Sequence, residues 1–455
     1  MKIEGKKMND VDISPELLTK WNRSVPRYTS YPTAPQFSAI DGETAKQKLI
    51  DFDESGRSLS IYIHIPFCKS MCLFCGCSVV LNRSPEKQAA YLDLLLKEIT
   101  LLPFKEKKIV TQLHLGGGTP TSLTIEEMQQ LMNALRARFI LSDEIAIEVD
   151  PRTVFIDEGR KLEALRQMGF NRISFGVQDL DPRVQEAVKR RQSEEMTVNT
   201  YHHARKLGFE GINIDLIYGL PLQTTTSFQR TAERLCELKP DRISFFSYAK
   251  VPWLKSHQKA IREEDLPSDE EKFQIYIDAR RLFLAAGYIA IGMDHFALES
   301  DSLAIAFKEG TLYRNFQGYS VQKAEDLLGL GVTSIGFMAG TFLQNAKTIE
   351  EYSSRVANGL LPVFRGFILQ QEDVLRRWVI QNIMCNAKVV KKEFAAVFGC
   401  SFDEHFAKEK GLIEPELAEE DAQEFRATAT GRLFIRLVAA LFDQYLAKGQ
   451  FSKVI

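Results

Sequence analysis

The sequence predicts an α/β fold. Its centre is a partial (β/α) TIM-like barrel with parallel strands over 41–350, behind an N-terminal extended arm over 1–40 and ahead of a small, mostly helical C-terminal domain over 351–455. Two observations carry that expectation. Short β-branched runs alternate with amphipathic helix patterns from about residue 57 to about residue 298, the mark of right-handed βαβ crossovers in a parallel sheet. After about residue 350 the strand signal fades and helical periodicity takes over. About six or seven strand–helix units curve towards a complete or partial barrel; a flat doubly wound sheet is the alternative that periodicity leaves open.

The elements follow in order. VPRYTSYPTAPQF packs three prolines among aromatics and hydroxyls, which suits an extended arm. In RSLSIYIHIPF, Leu59, Ile61, Ile63 and Ile65 alternate with Ser60, Tyr62 and His64, a strand stopped by Pro66. SPEKQAAYLDLLLKEITLL opens a helix with Ser84 as N-cap and Pro85 at the first helical position. VTQLHL runs into GGGTP and a helix whose Thr124 and Glu127 form a capping box. IAIEVDP precedes a helix around Asp157 to Met168, and RISFGVQ precedes short helices through Leu207. INIDLIYGLP leads to a helix from about Thr225 to Leu238. RISFFSYAKVP and YIAIGMDHFA add one strand each, around a helix near Asp269 to Ala286. DVLRRWVIQNIMCNAKVVKKEFAAVFG and ATATGRLFIRLVAALFDQYLAKG read as amphipathic helices.

The chain has 455 residues, 45% hydrophobic and 26% charged, with a formal net charge of −2. No basic field advertises nucleic acid or a membrane surface, so any anionic ligand must be met by local Arg and Lys. The N-terminus lacks an apolar core like that of a secretory signal, and no run of about 18 apolar residues predicts a membrane span. The expected location is the cytoplasm, where disulfides rarely persist.

Four of the seven cysteines crowd into HIPFCKSMCLFCGCSVV, as Cys68, Cys72, Cys75 and Cys77. A disulfide knot, a zinc site, an iron–sulfur cluster and a redox thiol pair are the candidates. The cytoplasm argues against disulfides. Structural zinc pairs two ligand arms across a longer loop, and this loop has no second arm. C-x3-C-x2-C instead supplies three thiolates, enough for three irons of a cubane cluster, with the fourth open to a chelating ligand. The loop follows the first strand, and active sites of barrels lie at that carboxyl-terminal rim. Cys236, Cys385 and Cys400 sit among apolar neighbours and read as core fillers.

C-x3-C-x-aromatic-C, with Phe74 as the aromatic residue, resembles the signature of the radical S-adenosylmethionine superfamily. PRYTSYPTA, YIHIPFC, CGC, LHLGGGTPT, IEVDPR, FGVQD, NIDLIYGLP, RNFQGY, DLLGLG and FSKVI resemble, in the same order, the oxygen-independent coproporphyrinogen III oxidase (dehydrogenase) family over nearly the whole chain. The resemblance implies one 4Fe-4S cluster on Cys68, Cys72 and Cys75, with one iron open to S-adenosylmethionine. Cleavage of that cofactor by one electron would give a 5′-deoxyadenosyl radical. The implied reaction is oxidative decarboxylation of two propionates of coproporphyrinogen III to the vinyl groups of protoporphyrinogen IX, in haem biosynthesis. A donor such as flavodoxin, an unidentified electron acceptor and a monomeric chain complete the expectation.

The resemblance also distributes site residues. Tyr62, Gly117, Glu148 and Ile335 match positions near a first S-adenosylmethionine. Phe74, Gly118, Thr119, Gln178, Arg190, Asp215 and Ala249 match those around a second, and Cys77 lies beside the chemistry without ligating iron. Each has a plainer reading. Gly116, Gly117 and Gly118 can be a tight turn or can expose backbone amides to a ligand. Tyr62 can be core packing, and Arg190, in the run KRRQ, a solvated charge. Glu148 stands among apolar residues, where carboxylates are rare unless paired or functional, and ribose hydroxyls would suit it. His64 can be a strand polar residue or touch the cluster; His202, His203, His257 and His405 read as surface residues. Arg27, on the arm, is a candidate for a propionate or gating contact.

Two rivals from other classes remain. Haem chaperones of the superfamily share YIHIPFC, but generally lack the second CGC cysteine and the PRYTSYPT arm, and carry an HNxxYW-type segment in place of RNFQGY. A radical methyltransferase would also use two S-adenosylmethionines. An electron carrier would not need a barrel of this size.

Overall fold

The computed structural model describes residues 15–321, 324–446 and 451–454; most of the N-terminal sequence read for a signal, and Ile455 of FSKVI, lie outside them. Six parallel strands follow one another across a large sheet: β1 (Leu59–Ile65), β2 (Lys108–Gly117), β3 (Phe139–Val149), β4 (Arg172–Gln178), β5 (Gly211–Tyr218) and β6 (Arg242–Ser247). Each consecutive pair is joined through helix, as parallel pairing requires. The helices are Pro85–Leu101, Ile125–Arg138, Arg160–Gln167, Glu194–Lys206 and Thr225–Leu238, with shorter turns between. Ser84 caps the first of them and Thr124 with Glu127 boxes the second, as the sequence predicts.

The remainder of the sheet departs from a simple repeat. YIAIGMDHFA forms two antiparallel strands, β7 (Tyr288–Ile291) and β8 (His295–Leu298), and β8 pairs with β6. Gly292, at φ +58°, turns the chain between β7 and β8. RNFQGY is a separate hairpin, β9 (Tyr313–Asn315) and β10 (Gly318–Ser320). DLLGLG supplies β11 (Asp326–Leu330), which pairs parallel with β1 on the edge away from β2. Three antiparallel strands extend that side: β12 (Ile335–Met338), β13 (Thr341–Asn345) and β14 (Val363–Ile368). Strand pairing therefore continues past residue 350. Gln371–Asn386 begins a mainly helical region that also holds a three-stranded sheet of Lys388–Val390, Ala418–Glu420 and Glu424–Ala427. Among the described residues the sheet order ends at Ser38–Ala39 on one side and β7 on the other, so it stays open.

The period of two along each strand sorts its faces. On β1, Leu59, Ile61, Ile63 and Ile65 are at most 1% exposed, packed in the main core. The opposite face is polar: Gln112 and His114 on β2, Glu144 and Glu148 on β3, Ser174 and Gln178 on β4, Asn213 and Asp215 on β5, and Ser244 on β6 line one cavity of about 790 Å³. A sheet face that is polar and lines a cavity is suited to a ligand, unlike the packed interior of a small barrel. Cys385 is buried, and Cys236 and Cys400 pack against the core, as fillers do.

Candidate active site at the carboxyl ends of the parallel strands

The cysteine loop leaves β1 at Pro66 and overhangs the cavity, so Cys68, Cys72, Cys75 and Cys77 all line it. None is in a disulfide. Cys75 N–H donates to Cys72 O at 3.1 Å, turning the loop back on itself. Burial pushes the Cys68 thiol up to about 11, against a hydrogen bond with Thr119 Oγ1 at 3.3 Å. Such a thiol loses its proton in exchange for a metal bond, not to neutral water. Cys77 hydrogen-bonds Cys75; that contact pulls the Cys75 thiol down and pushes the Cys77 thiol up.

The donor set fits a cluster. Three thiols on one short loop, with no carboxylate or imidazole interleaved, are the ligands iron–sulfur centres take. The sulfurs do not crowd together as ligands of one ion would: among the described residues no three His, Cys, Asp or Glu side chains converge in that way. A cubane centre gives each thiolate its own iron and does not need them to. Beside the loop, Gln178 Oε1 and Arg190 Nε are buried without a hydrogen-bond partner and both residues line the cavity. Buried polar atoms left unpaired call for a ligand.

Most of the expected residues meet here. Phe74, Gly117, Gly118, Thr119, Glu148, Gln178, Arg190, Asp215, Ala249 and Arg27 line the same cavity as the four thiols. Tyr62 stands behind them: its ring stacks on His114 with centroids 6.0 Å apart, and its hydroxyl donates to His64 Nδ1 at 3.1 Å. His64 Nε2 donates to Ser78 O at 2.8 Å, which fixes the neutral tautomer, and burial lowers its basicity. Ile335 begins β12, one strand beyond β11, and does not line the cavity.

The glycine turn is built for close approach. Gly117 has φ +114°, and a Cβ there would lie 2.5 Å from the His64 ring; at Gly118 it would lie 2.6 Å from Pro66 O. The backbone amides are not left exposed. Gly117 N–H donates to Glu148 Oε2 at 3.1 Å, Gly118 N–H to Ile65 O at 2.8 Å and Thr119 N–H to Phe67 O at 2.9 Å. The tight-turn reading accounts for these contacts, and where Gly117 and Gly118 line the cavity they keep its wall free of side chains.

Glu148 and Asp215 face the cavity from β3 and β5, with β4 between them, and have opposite tendencies. Burial pushes both carboxyls up. At Glu148 the hydrogen bond and charge of His114, 3.3 Å away, and the Gly117 amide overcome it and hold the group below its usual value. At Asp215 burial and the Glu148 charge win over Ser174 Oγ at 3.0 Å and Asn213 Nδ2 at 2.7 Å. The site thus carries one charged carboxylate and one that holds its proton more tightly.

Arg190 is the one basic residue of KRRQ that turns inward, at 7% exposed, while Lys189 and Arg191 stay in solvent. Arg27 is delivered by the arm. Arg314 Nη1 holds the carbonyls of Arg27 and Tyr28 at 2.7 and 2.9 Å, and Arg436 Nε holds that of Pro26 at 3.0 Å. Arg27 Nη2 then meets Asp294 Oδ2 at 2.5 Å.

Four contributors escaped the sequence reading. His257 is not a surface bystander: its Nε2 donates to Cys75 O at 2.9 Å. Lys255 Nζ donates to Cys77 O at 2.7 Å and Gln258 Nε2 to Phe74 O at 3.0 Å, so the segment after β6 braces the cysteine loop. His114 carries the period-two parity of Gly116 on β2, a signal that could have placed it inside.

The comparisons agree with this geometry. Residues 62–235 match the model of the Radical SAM superfamily, and residues 369–434 that of the HemN C-terminal domain. The chain is 42% identical to the oxygen-independent coproporphyrinogen III oxidase of Escherichia coli, over 98% of this chain and all of that protein. It is 40% identical to the Synechocystis protein of the same name, over 96% of each. A solved structure described as coproporphyrinogen III oxidase (HemN) from Escherichia coli, a radical SAM enzyme, superposes with a TM-score of 0.88 at 41% identity, over 93% of this chain and 100% of that one. The curved, open parallel sheet with a thiol loop at its carboxyl rim is therefore a radical SAM fold, and the chain belongs to the oxygen-independent coproporphyrinogen III oxidase family.

Proposed function

We propose that this chain converts coproporphyrinogen III to protoporphyrinogen IX by oxygen-independent oxidative decarboxylation, in haem biosynthesis. The observation that carries the reading is the single cavity of about 790 Å³ that joins four loop thiols to the polar ends of β2 to β6. Its volume lies in the upper part of the range of about 300–1,000 Å³ for ligand pockets, so it is a binding site and not a packing defect. Membership of the family implies a 4Fe-4S cluster and S-adenosylmethionine. In our reading Cys68, Cys72 and Cys75 hold the cluster, and Gly117 and Glu148, backed by Tyr62, serve a first S-adenosylmethionine, whereas Ile335 stays outside the cavity. Phe74, Gly118, Thr119, Gln178, Arg190, Asp215 and Ala249 serve a second.

When bound, the cofactors supply radical abstraction of hydrogen from an unactivated carbon, which no side chain here is basic enough to deprotonate. The chain's own groups position and exclude. Glu148, held charged by His114, accepts hydroxyl donors such as those of a ribose. Asp215, retaining its proton more readily, can donate as well as accept. Arg27 has five N–H donors, so its bond to Asp294 leaves others for a propionate at the mouth of the cavity. Cys77 lies beside the ligand thiols and in our reading serves the chemistry without ligating iron. For each propionate, a hydrogen atom leaves the β-carbon, carbon dioxide leaves, and one electron passes to an acceptor, which balances. An external donor such as flavodoxin supplies the starting electron. The monomeric state and cytoplasmic location complete the proposal; among the described residues no helix is long and apolar enough to cross a membrane.

Anaerobic turnover of coproporphyrinogen III by cluster-reconstituted protein tests the reading. Release of carbon dioxide with protoporphyrinogen IX supports it. Formation of S-adenosylhomocysteine alone would mean methyl transfer, and stable stoichiometric haem binding without turnover would mean a chaperone; either outcome overturns it.

A further inference from the structure

Cys72 differs from the other two candidate ligand thiols in what touches its sulfur. Arg190 Nη1 lies 3.6 Å from Cys72 Sγ and Arg152 Nη2 3.9 Å from it, both as hydrogen-bond donors. Cys68 Sγ has only the neutral hydroxyl of Thr119. The two guanidiniums share a single counterion. Asp150 Oδ1 accepts from Arg152 Nε at 3.0 Å, and its Oδ2 lies 2.6 Å from Arg152 Nη2 and 3.6 Å from Arg190 Nη1. All three side chains are largely buried, at 10%, 22% and 8% exposed for Asp150, Arg152 and Arg190. Two cations against one carboxylate leave one unit of positive charge beside a buried sulfur.

The local sequence fixes this arrangement. Asp150 ends β3 and caps the turn Pro151–Val154, accepting from Arg152 N–H at 3.0 Å. Arg152 is thus folded back onto the residue two before it, and its fork points under the cysteine loop. Arg190 is fixed from β4, where its Nη2 donates to Gly176 O at 2.5 Å. Both forks are pre-organised, and neither needs to move to reach the sulfur.

We propose that Arg152 and Arg190, held together by Asp150, act as a cationic clamp on Cys72 that raises the reduction potential of the cluster. The inference rests on the reading that Cys68, Cys72 and Cys75 hold that cluster. Iron–sulfur potentials are set by net charge, burial and hydrogen bonds to the sulfurs. A one-electron reduction adds negative charge that spreads onto the ligand sulfurs, so N–H donors and a nearby cation stabilise the reduced form more than the oxidised one. Low local dielectric magnifies the difference. No proton moves and Cys72 stays a ligand; the electron comes from an external one-electron donor. Arg152 is a positioning and tuning residue in this role.

The test is a redox titration followed by electron paramagnetic resonance, on reconstituted protein without S-adenosylmethionine. At the wild-type midpoint, Arg152→Gln should lower the ratio of reduced to oxidised cluster about tenfold, a shift of about 59 mV to more negative potential for one electron. Asp150→Asn, which removes the counterion's charge, should move the midpoint the other way. A purely structural role would not give shifts of opposite sign. Midpoints that stay at the wild-type value, or move in the same direction in both variants, overturn the clamp. So does loss of iron from both variants, since the arginine would then serve assembly and not potential. Wild-type protein that assembles no cluster would instead bring down the underlying ligand assignment.

Discussion

The side-chain amide of Gln258 donates to the carbonyl oxygen of Phe74 at 3.0 Å, while its own oxygen accepts from Val251 N–H at 2.6 Å. Gln258 is fully buried, so it rivets the middle of the cysteine loop to the segment that leaves β6. Replacing it by alanine leaves a carbonyl and an amide without partners, at a cost of about 1–3 kcal/mol for each buried group. Gln258→Ala should therefore lower unfolding stability and speed iron loss to a chelator. An unchanged release rate would mean that the loop does not depend on this brace.

Cys72→Ser should abolish the cluster, because one iron would lose its thiolate. Cys77→Ser should keep the cluster's visible absorbance and lose most turnover, since Cys77 lies beside the ligands in our assignment. Iron content and absorbance after reconstitution check both. A Cys72→Ser protein with full iron and activity contradicts the three-ligand assignment, and a Cys77→Ser protein without a cluster makes Cys77 a ligand.

Asp215 lies on β5 and the cysteine loop follows β1, at opposite sides of the cavity's strand order. Asp215→Ala should accordingly lose a second equivalent of S-adenosylmethionine and keep the first, as read by equilibrium dialysis. Unchanged stoichiometry would remove Asp215 from the second site.

Glu98 is a buried carboxyl remote from the chemistry. Burial pushes it from 4.5 up to about 7, against hydrogen bonds from Tyr352 Oη at 2.6 Å, Gly331 N–H at 2.8 Å and Asn345 Nδ2 at 2.7 Å. Across that window the folded chain keeps a proton that the unfolded chain releases, so stability falls as pH rises from 4.5 to about 7. The contribution is full below the unfolded value and amounts to about 3 kcal/mol. Denaturant unfolding at about pH 5 and about pH 8 should show this slope in the wild type, and Glu98→Gln should flatten it. An equal slope in both proteins would place the titrating group elsewhere.

Much of this was legible in the sequence, for physical reasons that differ by element. The six parallel strands and their helices announce themselves because alternation and N-caps are local, as at Ser84 and Thr124. The hairpin of β7 and β8 did not, because Gly292 interrupts a run whose apolar content reads as one strand. β11 was hidden because its parallel partner lies far away in the chain: Leu59 meets Asp326 only in the fold, and β12 to β14 pair onto it in turn. At the site, the cysteine spacing was decisive and the inward row of Glu148, Gln178 and Asp215 followed from resemblance and strand ends. His257 was discounted because nothing near it in sequence shows that it caps Cys75 O. The glycines at the end of β2 left a tight turn and exposed amides both open, and the closeness of His64 and Pro66 shows the turn.

In our reading the cysteine loop holds the group that generates a radical, which takes hydrogen from the propionate β-carbon of a porphyrinogen. The most direct measurement is the mass of 5′-deoxyadenosine after anaerobic turnover, with dithionite or flavodoxin as donor, of coproporphyrinogen III deuterated at those β-carbons. The account predicts deuterium in 5′-deoxyadenosine and retention of any α-carbon label in the vinyl product. Unlabelled 5′-deoxyadenosine alongside a vinyl product depleted of β-deuterium would contradict it.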